Sequence, residues 1–163
     1  MHVKELMTHP VVTCQIGDHL DVAARLMWEY DCGIIPVVGH EGRLDGVITD
    51  RDITMAALTQ GQRLDQLPVK GAMAKHVLVV HPEEPVETVE RLMRDGQIRR
   101  LPVIDNAGRP VGIVSLNDLA RLTARAKKSA VDHELVATLA AICQPRVAAR
   151  PGTAATPSGL VTG

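Results

Sequence analysis

The stretch GVITDRD, Gly46 to Asp52, returns as GIVSLND, Gly112 to Asp118. Each copy has a glycine, two β-branched apolar residues, a hydroxyl residue, two variable positions and an aspartate. The apolar pair reads as the end of a buried strand. Thr49 or Ser115 falls where that strand turns into a helix, and Asp52 or Asp118 in the first helical turn. Two readings fit. One is a capping arrangement, with a hydroxyl N-cap and an acid three residues on. The other is a ligand site: a helix start attracts phosphate, and a carboxylate accepts hydrogen bonds from ribose hydroxyls.

The duplication extends well beyond these corners. Shifted by 66 residues, the chain matches itself without a gap, and thirteen pairs are identical over positions 3–53. VKELM (3–7) falls on VKGAM (69–73), ARLM (24–27) on ERLM (90–93), and IPVVGHEGR (35–43) on LPVIDNAGR (101–109). Two repeats are too few for a solenoid. They suit a closed pair about a pseudo-twofold axis, each half covering the other's apolar face.

Each repeat reads as strand, helix, strand, strand, helix, so the fold class is α/β (α+β). The extended pieces are Val11–Cys14 and Val77–Val80. The following helices gather Val22, Leu26, Met27 and Tyr30 on one face, and Val86, Val89, Leu92 and Met93 on the other copy's. Two strands follow, 34–38 with 44–49 and 101–104 with 111–115. Pro36 and Pro102 predict that the first strand of each pair is an edge or is interrupted there. Closing helices are expected over 51–58 and 117–128. The organisation is thus repeat 1 over 1–62, repeat 2 over 63–128, an extra helix over 129–144 and a disordered tail over 145–163. The extra helix, with Val131, Leu135, Leu139 and Ile142 near one face, is expected to extend a homodimer interface.

Composition narrows the function. Apolar residues make up 45% of the 163, but the only aromatics are Trp28 and Tyr30. Stacking on single-stranded nucleic acid is therefore excluded. A net charge of −1 gives no general attraction to nucleic acid or acidic membranes. The charge is uneven: residues 1–53 carry four basic and nine acidic side chains, residues 69–128 eleven and seven. Cys14, Cys32 and Cys143 have no CxxC spacing, the seven histidines have no HxH or HExxH spacing, and no metal site is expected. Cys14 and His19 are close in sequence, but no orienting acid accompanies them, and no Walker loop appears. No apolar run reaches membrane-spanning length and no signal-peptide core opens the chain, which predicts a soluble cytoplasmic protein without catalytic residues.

The paired pattern resembles the cystathionine-β-synthase (CBS) domain, two of which make a Bateman module. It covers residues 3–125 through the VKELM/VKGAM lead-ins, the IIPVV/RLPVI strands and the GVITDRDI/GIVSLNDL endings. The short form is similar to the bacterial CBS-pair proteins that include hypoxic-response protein. The resemblance implies a disc-like module with two clefts for adenosine-containing ligands: AMP, ADP, ATP or S-adenosylmethionine. No cofactor is required, and an adenine nucleotide is implied as a regulatory ligand. Carried over, the contacts are Thr13 and Val79 near the first strands, Ile34, Ile35 and Pro36 with Arg100, Leu101 and Pro102 in the second, and Thr49/Asp52 with Ser115/Asp118. Arg99 and Arg100 match a basic pair that reaches phosphate in related modules, whereas repeat 1 has Gly33 and Ile34 there. Arg51 in the first ending faces Asn117 in the second. Unequal clefts follow, and the Ser115/Asp118 cleft with the arginine pair is the one favoured. Implied partners are a second copy and an unidentified regulated protein. Two other readings stay open: an oligomeric interaction protein with empty clefts, and a redox- or metal-responsive protein.

Overall fold

The computed structural model describes residues 1–126 and 129–144. The tail expectation over 145–163 and the last two residues of the helix expected over 117–128 lie outside them. The first half contains β1 (Cys14–Gln15), α1 (Leu20–Glu29), β2 (Ile34–Val38), β3 (Leu44–Thr49) and α2 (Asp50–Gln60). A single helical turn, α3 (Val69–Ala72), leads into α4 (Val86–Gly96), β4 (Arg100–Ile104), β5 (Pro110–Ser115) and α5 (Leu116–Ala126), and α6 (Ser129–Ile142) follows. No helix among the described residues is long and apolar enough to cross a membrane.

Strand register repeats with the sequence. Ile34 pairs with Thr49 and Arg100 with Ser115 in antiparallel ladders. Cys14 runs parallel to Val37, and Val80 to Val103. The expected strand over 77–80 is reduced to that one bridge. Each half has its own aliphatic core. Leu20, Ala23, Met27, Ile35, Val37 and Ile48 build the first. Val89, Met93, Leu101, Val103, Val114 and Leu119 build the second.

The halves are joined by an exchange of lead-ins. Residues 1–8 dock on the second half: Thr8 N–H donates to Ile113 O at 2.8 Å, and Ile113 N–H to Thr8 O at 3.0 Å. Residues 68–74 dock on the first: Ala74 N–H donates to Val47 O at 2.9 Å, and Val47 N–H to Ala74 O at 3.0 Å. Val3 is accordingly buried in the second core, and Val69 and Met73 in the first. This close crossing accounts for the repeated glycines. A Cβ on Gly46 would lie 2.6 Å from Ala74 O, and one on Gly112 would lie 2.6 Å from Met7 Sδ.

Pro102 lies on the expected kind of strand, since among the described residues β4 pairs only with β5 apart from the Val80 bridge, but Pro36 does not. β2 lies between β1 and β3, so it is not an edge strand. Pro36 faces Val47, whose N–H and C=O both bond to Ala74. That pair exchanges no hydrogen bonds across the β2–β3 ladder, so no donor is needed from Pro36 there. Pro102 faces Ile113 in the same way, with Ile113 bonded to Thr8. Tyr30 also departs from expectation. Helix α1 ends at Glu29, and Tyr30 caps it from an exposed position. Helix α6 packs on α4 and α5, with Leu135 and Ile142 buried in the second core. It thus completes its own half.

Candidate functional site

At both corners the hydroxyl residue is tied to the aspartate three positions on. At the first, Thr49 N–H and Oγ1 donate to Asp52 Oδ2 at 2.9 and 2.7 Å, and Asp52 N–H donates to Thr49 Oγ1 at 3.2 Å. At the second, Ser115 N–H and Oγ donate to Asp118 Oδ2 at 2.7 and 2.6 Å. The reciprocal capping box is complete at Thr49, and at Ser115 its carboxylate half is present. It uses one carboxylate oxygen, so it leaves the other available for a ligand. Among the described residues none binds Asp52 Oδ1. Asp118 Oδ1 instead accepts from Arg121, three residues further along α5. Asp118 is 3% exposed.

The arginine pair is divided between the corners. The backbone of Arg99 belongs to the second, where its carbonyl accepts from Leu116 N–H at 2.9 Å. The Arg100 side chain crosses to the first half. A Cβ on Gly33 would lie 3.4 Å from both Arg100 Nη2 and Asp50 Oδ2. Asp50 opens α2 beside Thr49, so this guanidinium lies at the first corner, whereas the sequence reading placed it at the Ser115/Asp118 cleft. The direction follows from strand alternation: Leu101 and Val103 point into the second core, so Arg100, Pro102 and Ile104 face the other way.

A groove of about 470 Å³ reaches that face at Ile104 and is also lined by Arg43, Asp45, Gly46, Lys75 and Val79. Val79 is thereby placed beside β3, the strand that ends at Thr49. A second hollow, of about 680 Å³, lies between the first lead-in and α5 and includes Thr8, Asp118 and Arg121. Thr13 is half-buried just before β1. Ile34, Ile35, Pro36, Leu101 and Pro102 are buried, and Ile35 and Leu101 belong to the cores, so those two can offer a ligand only backbone. Arg51, Arg99 and Asn117 are exposed. Sequence reasoning missed Lys75, Asp45 and Arg121. Only Arg121 carried a signal, its spacing of three from Asp118 within one helix.

Burial pushes the Cys14 thiol up to about 11, with the nearby Asp18 carboxylate adding to it. Burial also raises Cys32, against the opposing pull of Arg100. Neither is the activated thiolate that redox chemistry uses. Among the described residues no group of three or more His, Cys, Asp or Glu is placed to hold a metal ion.

Two like units with crossed lead-ins and matching corners define a tandem ligand-binding module. Residues 3–59 and 69–125 each match the CBS domain. The chain belongs to the CBS-domain family, as a tandem pair of the kind that forms regulatory modules. It is 42% identical to the CBS domain-containing protein YhcV of Bacillus subtilis over 118 residues, 72% of this chain and 82% of that protein. Hypoxic response protein 1 of Mycobacterium tuberculosis is 36% identical over 138 residues, 82% of this chain and 89% of that one. Among solved structures, the CBS domain pair of protein MJ0100 in complex with 5′-methylthioadenosine and S-adenosyl-L-methionine superposes with a TM-score of 0.70. It is 31% identical, and the match covers 78% of this chain and 98% of that one.

Proposed function

We propose that this pair is a sensor for a phosphate-bearing adenosine nucleotide, held in the first cleft. One observation carries the reading: Arg100 of the second half extends to the start of α2 in the first, beside a corner whose Asp52 keeps one oxygen unbound among the described residues. A guanidinium suits bidentate contact with phosphate. The α2 N-terminus favours the same charge, and Asp52 Oδ1 suits a ribose hydroxyl. The adenosyl ligands of the MJ0100 pair support the ligand class. Binding draws on both halves at once, so it favours one arrangement of the pair over others.

A thermal-shift screen with AMP, ADP, ATP and S-adenosylmethionine tests this. A ligand at about 100 times its Kd stabilises by about 2.7 kcal/mol. The phosphate-bearing compounds are expected to shift the wild type, and Asp52→Ala is expected to lose the shift. No shift with any compound, or a shift that Asp52→Ala keeps, rejects the assignment.

The partner we infer is a second copy. Trp28, 88% exposed, and Leu58, 74% exposed, stand on α1 and α2, while α6 covers the corresponding helices α4 and α5. Light scattering is expected to give twice the chain mass, and Trp28→Glu a monomer.

A further inference from the structure

The corners differ at a position that the ligand reading leaves unused. We propose that Arg121 is a built-in occupant of the second corner, holding the carboxylate oxygen that a ribose would need and limiting the pair to one nucleoside per chain. The inference rests on the adenosine reading above. Both oxygens of Asp118 are engaged: Ser115 binds Oδ2 twice, and the Arg121 guanidinium binds Oδ1. The Arg121 side chain is itself 64% exposed and forms part of the wall of the 680 Å³ hollow. A ribose entering there has to displace an ion-paired guanidinium from the carboxylate and offer an uncharged hydroxyl donor in its place. It also has to leave a guanidinium without its carboxylate.

The first corner has no such occupant. Sixty-six residues before Arg121 stands Met55, an exposed thioether with no N–H to offer Asp52. The groups that draw phosphate to the first corner are likewise missing from the second. Ile34 stands at the position of Arg100 and Asn117 at that of Arg51. One half thus attracts an anionic nucleoside, and the other answers its own aspartate from within.

Exchanging the two residues tests this. Isothermal titration with AMP and with 5′-methylthioadenosine is run on the wild type, Arg121→Met and Met55→Arg. The wild type is expected to bind one equivalent per chain. Arg121→Met is expected to gain a second equivalent of 5′-methylthioadenosine, which needs no phosphate partner. Met55→Arg is expected to weaken the original site at least tenfold. Met55 is surface-exposed, so that variant decides the matter even where Arg121→Met, with its buried Asp118 unpaired, folds poorly. Two equivalents in the wild type, or binding unchanged in both variants, overturns the role of Arg121 and leaves the nucleotide reading standing. No binding by any of the three proteins overturns both.

Discussion

The first and second halves follow the same backbone path, yet their surroundings differ almost everywhere that chemistry is concerned. Their ladders pair in the same register and slip at equivalent points, between Val37 and Val38 and between Val103 and Ile104. Their corners are closed by the same hydrogen bonds. Around that shared frame, the first half receives Arg100 and leaves α1 and α2 open, while the second carries Arg121 and lies under α6. The glycines and prolines kept identical (Gly46/Gly112, Pro36/Pro102) serve the fold, and Asp52/Asp118 close the corners. Among the positions that diverged are Ile34/Arg100 and Met55/Arg121, which stand at the two corners. Duplication preserved the scaffold and freed each cleft to acquire its own charge.

The sharpest way to break this comparison is to remove one lead-in. Deleting residues 1–8 takes buried Val3, half-buried Leu6 and Met7, and both bonds to Ile113 from the second half. At about 1.5–3 kcal/mol for each fully buried apolar side chain, the loss should exceed about 4 kcal/mol in urea unfolding. An unchanged midpoint would show that the lead-in is not part of that core.

The glycines sharpen the comparison further. A methyl on Gly46 meets a backbone oxygen, whereas one on Gly112 first meets the end of the flexible Met7 side chain. Overpacking costs about 1–3 kcal/mol, so Gly46→Ala should approach about 3 kcal/mol and Gly112→Ala about 1 kcal/mol. Equal unfolding costs would refute this asymmetry. Next comes Arg100→Ala. Charge-assisted hydrogen bonds contribute about 1.5–3 kcal/mol, so AMP should bind about 10- to 100-fold more weakly by titration calorimetry, with 5′-methylthioadenosine little changed. Equal losses for both compounds would remove phosphate from the role of Arg100.

The smallest effect concerns the hairpin turns, where Asp105 stands opposite Gly39 in the repeat. The Arg109 backbone N–H holds the Asp105 carboxyl below its ordinary value, assisted by the Arg109 side chain and the Ala107 N–H. A depressed folded value stabilises above the unfolded value of about 3.9 and loses that contribution as the pH falls through the folded one. Asp105→Asn should therefore lower Tm slightly at pH 5 and converge with the wild type well below pH 4. Parallel curves across that range would assign the turn's stability elsewhere.

Much of this architecture was legible because it is local. A hydroxyl residue, an acid three positions on and an apolar strand end are neighbours in sequence, and the cap they form needs nothing distant. The 66-residue repeat made the paired halves legible too. Contacts between residues far apart were not. Nothing near Val3 signals that it is buried by residues eighty positions away, and Pro36 looks like an edge residue until Ala74 is seen bonded to Val47. Arg100 was read as a phosphate partner beside Ser115 and Asp118, whereas its side chain lies by Gly33 and Asp50, since alternation tells which residues share a face and not which half that face meets. Tyr30 was misplaced because helix periodicity carries no mark for the residue at which the helix stops.

The exchanged lead-ins have a consequence for how such a chain can exist at all. A single unit, cut free, would present β3 with a bare row of hydrogen-bonding groups, the kind of edge that recruits another strand. Its simplest remedy is a twin that trades arms with it. Tethering the twins turns that encounter into an intramolecular one at high effective concentration. It also makes each arm a mechanical link, because a ligand that turns one half pulls on the outermost strand of its sister.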